Sequence, residues 1–409
     1  MGAAWAQSTP AGSLRQGLDA LNAGRLKEAR AKLERATREQ PEQAWAWLSL
    51  AKTYRLLGEE SSVEAPLQHA EALAAGNPAV RSILAMYWAD AGDPAIAAEQ
   101  EKLYAASAPG DPNVEARIAS YSLEAGRTDD AVMYGLLAIE KRDDADRRSL
   151  LGKAYAAEGR LEDAERELRA AIRHEPYDEE RRYDLGYLFL QAQQFDRALE
   201  AFAEGLEVFD KSARITTGIG IAHYGLRSFD QAVGSFLDAS KLAPGVEQPC
   251  YFLGRMLTQA TTRIDEVVER FEAFEAARPE SYLGPYLTAI GRLAAAGASA
   301  DEATLQEAAA KLNESIERRD AFWEAHYELG VLLERLDRHR EAAERLQRAA
   351  ELNPESSKPH YRLARVYRRL GNDELARAER DTHARLVEEE RSSMKSGAMG
   401  GSPLVPVVK

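Results

Sequence analysis

Residues 145–176 read ADRRSLLGKAYAAEGRLEDAERELRAAIRHEP, and two helices joined by a turn can be read from that stretch alone. Leu151, Gly152 and Tyr155 share one face of the first helix at i, i+1 and i+4. Ala164, Leu168 and Ala171 form an apolar stripe on the second at i, i+4 and i+7. Gly159 stands between them, where left-handed backbone ends a first helix most cheaply. Pro176 closes the unit, because proline cannot continue a helix.

Working outward from this unit, the same four features recur. Small residues at Gly17, Ala51, Ala85, Ala119, Gly152, Gly186, Gly220, Gly254, Gly330 and Ala364 are spaced by 34, with one step of 33 and one double step of 76. A second series follows it at Ala29, Ala97, Ala131, Ala164, Ala198, Ala232, Ala342 and Ala376, with Val63 and Val267 filling two gaps. Turn glycines fall at Gly24, Gly58, Gly92, Gly126, Gly159 and Gly371, and closing prolines at Pro41, Pro109, Pro176, Pro244, Pro279 and Pro354. Small residues let two helix axes approach at a crossing. Four series in one register mark tandem helical hairpins. Units begin near Pro10, Ala44, Pro78, Pro112, Ala145, Glu179, Ala213, Glu247, Ser281, Trp323 and Ser357. The step from Ser281 to Trp323 is 42, so the ninth unit carries about eight extra residues around Ala294–Ala303. Gly297, Ala298 and Ser299 before Asp301 read there as a longer loop and a new helix cap.

These residues resemble the tetratricopeptide repeat, of a bacterial type. Trp47, Leu50, Ala51, Tyr54 and Gly58 match the first half of its pattern; Leu185, Gly186, Ala198 and Phe202 match both helices of another unit; Leu329, Gly330, Ala342, Leu346, Ala349 and Pro354 match a later one. The resemblance spans about residues 11–390 in about eleven repeats. It implies an all-α, right-handed superhelical solenoid of about 22 helices, with first helices lining a concave wall and second helices outside. The helix from Asp373 to about Arg391, with Glu374, Arg377, Arg380, Asp381, Arg385 and Glu388 on its exposed side, reads as the terminal cap of a solenoid that spans residues 11–391. Residues 1–10 and 392–409 read as flexible ends.

The composition is ordinary for a folded soluble protein. The chain has 409 residues, 45% hydrophobic and 29% charged, with a net charge of −14, which disfavours a main role on nucleic acid. A single cysteine, Cys250, permits neither an intrachain disulfide nor a cysteine metal cluster. It stands at the aromatic place of its unit's first helix and reads as a small buried apolar residue. No apolar run reaches the ~18 residues of a membrane span. Gly2-Ala3-Ala4-Trp5-Ala6-Gln7 looks like the end of an export signal lacking its basic and apolar regions. The chain is therefore expected to be cytoplasmic if Met1 is the true start, and periplasmic or secreted if that segment is a signal remnant.

The signatures of catalysis are missing: no G-x-x-x-x-G-K-[ST], no H-E-x-x-H and no G-x-S-x-G. Gly218-Ile219-Gly220 with Gly225 follows no strand, so a dinucleotide loop does not fit. His69, His174, His223 and His326 lack ligand spacing, and Asp143-Asp144 falls in a turn. Neither enzyme activity nor a cofactor or metal is expected.

What remains is binding. On the first helices, the second, fifth, ninth and twelfth residues of each unit share one stripe. It is mixed early (Leu14, Leu18, Leu48, Lys52, Ser82, Met86), aromatic in the middle (Tyr183, Tyr187, Tyr224, Tyr251, beside Arg255) and basic at the end (Lys358, Tyr361, Arg365, Arg368, flanked by Arg362 and Arg369). Tyrosine and arginine combine contact area with a polar tip. The expected peptide-binding residues are accordingly Tyr183, Tyr187, Tyr224, Tyr251, Arg255, Tyr361, Arg365 and Arg368. Those tyrosines could equally fill the interior of a tightly wound array. No unit has Lys at its fifth and Asn at its ninth place, so the chaperone carboxylate-clamp class of the resembled family is not expected. The expected role is a scaffold holding a peptide or partner protein in assembly of a larger complex. The alternative is a regulatory or substrate-recruiting subunit of an enzyme system.

Overall fold

The computed structural model describes residues 12–107, 111 and 113–395. The N-terminal segment, Pro109, Pro112 and the C-terminal residues 396–409 lie outside the described residues. Among the described residues the chain is all α-helix with short 3-10 turns and no strand. It divides into two compact units, Met1–Asp184 and Leu185–Lys409.

The first unit is built of α1 (Gly12–Asn22), α2 (Leu26–Glu39), α3 (Ala44–Leu56), α4 (Glu64–Gly76), α5 (Ala79–Asp90), α6 (Pro94–Ser107), α7 (Val114–Glu124), α8 (Thr128–Lys141), α9 (Ala145–Ala157) and α10 (Leu161–His174). The boundary falls inside α11 (Glu179–Gln191). The second unit continues with α12 (Phe195–Leu206), α13 (Ala213–Gly225), α14 (Phe229–Leu242), α15 (Glu247–Arg255), α16 (Ile264–Ala277), α17 (Leu283–Ala296), α18 (Glu302–Arg318), α19 (Trp323–Arg335), α20 (His339–Leu352), α21 (Ser357–Arg369) and α22 (Asp373–Lys395). Odd-numbered helices are the first helices of hairpins and even-numbered ones the second.

From α1 to α10 and again from α12 to α22 each helix packs on the next, which makes each unit a stack of hairpins. First helices also touch the following first helix: α1 with α3, α3 with α5 and α7 with α9 in the first unit, α15 with α17 and α19 with α21 in the second. In the second unit the second helices α14 and α16 touch as well.

The turn glycines do what their spacing requires. Gly24, Gly58, Gly92, Gly126, Gly159 and Gly371 all have φ between 70° and 86°. Gln193, Arg227 and Asp337 take the same place in three other hairpins, with φ of 55°, 60° and 56°. The hairpin of α15 has Thr261 there instead. A β-branched residue resists positive φ, so α15 stops after 9 residues and a 3-10 turn, Thr261–Arg263, leads into α16.

The small residues of the first series sit opposite large ones on the partner helix. A Cβ on Gly152 would lie 2.8 Å from Leu168, on Gly186 2.3 Å from Phe202, on Gly220 2.6 Å from Phe236 and on Gly330 2.6 Å from Leu346. Gly218 also faces Phe202, at 2.4 Å, and Gly225 faces Phe195, at 2.4 Å. The glycines of residues 218–225 are therefore sockets for aromatic rings, and no phosphate loop is needed to explain them.

A polar clamp that the four series do not reveal joins several hairpins. Residues 19 apart bond across from first helix to second: Arg81 to Gln100 at 2.9 Å, Arg148 to Glu167 at 2.6 Å and His360 to Glu379 at 2.6 Å. The insertion in the ninth unit becomes a longer α18 and a 3-10 turn, Gly297–Ser299, with Gly297 at φ 63°. Asp301 caps α18, accepting from the Thr304 amide at 2.9 Å. At the C-terminal end α22 continues to Lys395, and its Glu374, Arg377, Arg380, Asp381, Arg385 and Glu388 are all exposed.

Candidate peptide-binding face

The stripe residues named from the sequence lie on the first helices, in different states. Tyr183, in the last residues of the first unit, is half-buried, and Tyr187, Tyr224 and Tyr251 in the second unit are too. Tyr224 meets Phe229 edge-on with centroids 5.8 Å apart and is tilted against Phe252 at 6.5 Å. Tyr251 meets Phe252 edge-on at 6.0 Å, and the exposed Arg255 guanidinium lies 6.0 Å from the Tyr251 ring. Tyr224 and Tyr251 thus pack against phenylalanine rings while remaining half-buried.

On α21, Tyr361 is exposed, its ring 5.5 Å from that of His383. Arg365 pairs with Glu334 at 3.2 Å, and Arg362 reaches the same carboxylate at 3.4 Å. Arg368 and Arg369 are exposed and make no ion pair among the described residues. Glu334 therefore engages Arg365, while the field of Arg368 and Arg369 faces solvent.

The sequence reading missed four residues of this face. Tyr286 packs edge-on against Phe322 at 4.9 Å, and burial pushes its phenol well above the usual range, with Glu328, Glu324 and Tyr251 adding to the shift. Burial raises the carboxyl groups of Glu324 and Glu328 above their ordinary values. Tyr327 stands near Arg362, and this phenol with Glu334 helps hold that guanidinium charged, against its desolvation. Glu324 and Tyr327 are the second and fifth residues of their unit, on the stripe as defined. Tyr286 and Glu328 are both sixth residues, one place to its side.

With these included, each first helix from α11 to α21 carries a tyrosine that keeps part of its surface in solvent: Tyr187, Tyr224, Tyr251, Tyr286, Tyr327 and Tyr361. Cys250 is fully buried, and burial pushes its thiol up to about 12, so it is unreactive. No group of His, Cys, Asp and Glu side chains among the described residues could hold a metal ion, and no helix among them is long and apolar enough to cross a membrane.

A family model described as Tetratricopeptide repeat matches residues 14–61 and 183–247, and a second model with that description matches residues 323–356. No curated protein matches. Among solved structures the chain is similar to the Cut9–Hcn1 hetero-tetramer of the APC/C at 14% identity, covering 91% of this chain and 93% of that one, with a TM-score of 0.42. It is similar to yeast Tom70 at 14% identity, covering 95% and 94%, with a TM-score of 0.39. Its similarity to MamA covers 40% of this chain and 91% of that one, at 20% identity and a TM-score of 0.35.

Proposed function

Because the chain is a tetratricopeptide repeat protein, we propose that it is an interaction scaffold that holds a peptide segment of a partner protein on its first helices. The observation that carries this is the run of partly exposed tyrosines on six successive first helices, α11 to α21. A side chain needed only for packing is drawn fully inside, as Phe202 and Phe236 are in the same unit. Half-buried tyrosines are already ordered by their packed edge, so less freedom is lost when a ligand covers the rest. An extended or helical segment crossing successive first helices would meet them one after another.

Tyr183, Tyr187, Tyr224, Tyr251 and Arg255 form the aromatic stretch of this reading; Tyr361, Arg365 and Arg368 form a basic stretch for an acidic part of the ligand. The partner is protein rather than nucleic acid, because a chain of net charge −14 repels phosphate. The role is non-catalytic and serves assembly of a larger complex.

The test is capture from the source organism by the immobilised full chain, read by mass spectrometry beside a Tyr187→Ala, Tyr251→Ala double variant. Partners retained by the first and lost by the second, at nearly unchanged melting temperature, support the reading. Undiminished capture places binding elsewhere, and unfolding of the double variant makes the tyrosines packing residues.

A further inference from the structure

A cleft of about 310 Å³ opens in the hairpin of α9 and α10, lined from the turn before α9, the start of α9 and one face of α10. None of its lining residues is on the stripe of the first helices. Ala170, buried on α10, is the one small side chain in the lining. At the matching place of their units α8 has Leu137, α12 has Glu204 and α20 has Arg348. Arg348 reaches across to Asp320 at 2.5 Å. A methyl group in that place leaves the space open.

The carboxylates of the cleft are already engaged. Arg148 holds Asp143 with two parallel bonds of 2.7 Å and donates a third, at 2.6 Å, to Glu167. His174 Nε2 lies 3.2 Å from Asp143, and Arg166 Nε donates to Glu167 at 3.1 Å. All four carboxylate oxygens thus face a guanidinium or an imidazole. Donor capacity is left over. Arg173 lines the cleft, is exposed, and forms no ion pair or hydrogen bond among the described residues. Arg166 directs Nε to Glu167 and Nη1 to Asp163, at 2.6 Å, which leaves Nη2. A guanidinium has no acceptor, so the group that completes this cleft is an anion.

We propose that the cleft receives a phosphorylated serine or threonine side chain of a partner protein, held between Arg166 and Arg173 over Ala170. The two arginines are two turns apart on α10, about 10 Å along the axis, with Ala170 between them. A phosphoryl group has three oxygens and up to two charges, so both guanidiniums can hold it at once, whereas a carboxylate suits one. The net charge of −14 repels the long run of phosphates of a nucleic acid. A single phosphoryl group meets the local excess of three guanidiniums over two carboxylates instead. This site is separate from the tyrosines of the first helices and does not depend on their role.

The test uses the immobilised full chain and end-capped hexapeptide pools with one position fixed as phosphoserine, phosphothreonine, glutamate or serine. The two phosphorylated pools should be retained about tenfold better than serine pools and about threefold better than glutamate pools. Arg173→Gln should reduce the first ratio to under about threefold at unchanged melting temperature, because Arg173 has no internal partner to lose. Ala170→Leu, which places the side chain of α8 in the cleft without altering a charge, should reduce it as far. Lys27→Gln, which removes an exposed cation of α2 outside the cleft, should leave it intact. Equal retention of phosphoserine and serine pools, an undiminished ratio in either cleft variant, or an equal fall in Lys27→Gln overturns the proposal. Glutamate pools retained as well as phosphoserine pools overturn it too, because the cleft would then read charge alone.

Discussion

Gln193, Arg227 and Asp337 hold left-handed backbone at a place where six other hairpins have glycine. A side chain there costs conformational energy, which gives opposite predictions for two substitutions. Arg227→Gly should stabilise by about 0.5–1 kcal/mol, and Gly159→Ala should destabilise by about 1 kcal/mol. A Cβ on Gly159 would meet nothing within 4 Å, so the loss reports backbone alone. Denaturant unfolding of both variants decides it, and an unchanged midpoint for Gly159→Ala rejects the account. A second prediction concerns Glu328. Its folded carboxyl is raised above the unfolded value, so its favourable contribution is complete below the unfolded pKa and is lost as pH rises through the folded one. At pH 7 the charge opposes folding, and Glu328→Gln should raise the melting temperature there, the gain shrinking as pH falls toward about 4. A variant less stable than the parent at pH 7 would mean the carboxylate is internally paired. The turn glycines could be read in the sequence because their constraint is local to one backbone position. Glu328 could not, because its raised carboxyl comes first from burial, which the packing of helices distant in sequence decides.

Among elements, the hairpins whose turn obeys the register were legible throughout, and the departures have local causes. The extra residues of the ninth unit were placed correctly near Ala294–Ala303, and Asp301 is the cap that the sequence indicated. Asp301→Ala should cost about 1 kcal/mol, and amide exchange should locate the loss in the first turn of α18. The shortening of α15 was not anticipated, because spacing gives the place of a turn and Thr261 decides whether it can be made. Residues 256–263 should therefore exchange faster than the turn between α13 and α14, where Arg227 completes the usual geometry. Equal protection at the two turns would show that the 3-10 segment closes the hairpin as firmly. The polar clamps escaped notice because different residue types fill them: an arginine with glutamine, an arginine with glutamate, and a histidine with glutamate.

At the largest scale, helices within each unit pack on their sequence neighbours, so stability should be distributed along each unit. Deleting Ala213–Val246 should leave a folded protein shorter by one hairpin, with helical circular dichroism reduced in proportion. Loss of all helical signal would show a single cooperative core instead. The family and the all-helical architecture were legible at this scale because ten small residues repeat one step, whereas the proposed binding face depends on which tyrosines stay partly exposed. The Phe202 ring, set between Gly186 of its own hairpin and Gly218 of the next, makes the two energies of such a chain separately measurable. In a linear lattice of coupled sites, Gly186→Ala perturbs the on-site term and Gly218→Ala the bond to the following site. Unfolding curves of the two variants, fitted jointly with the hairpin deletion, would yield both parameters from one aromatic ring.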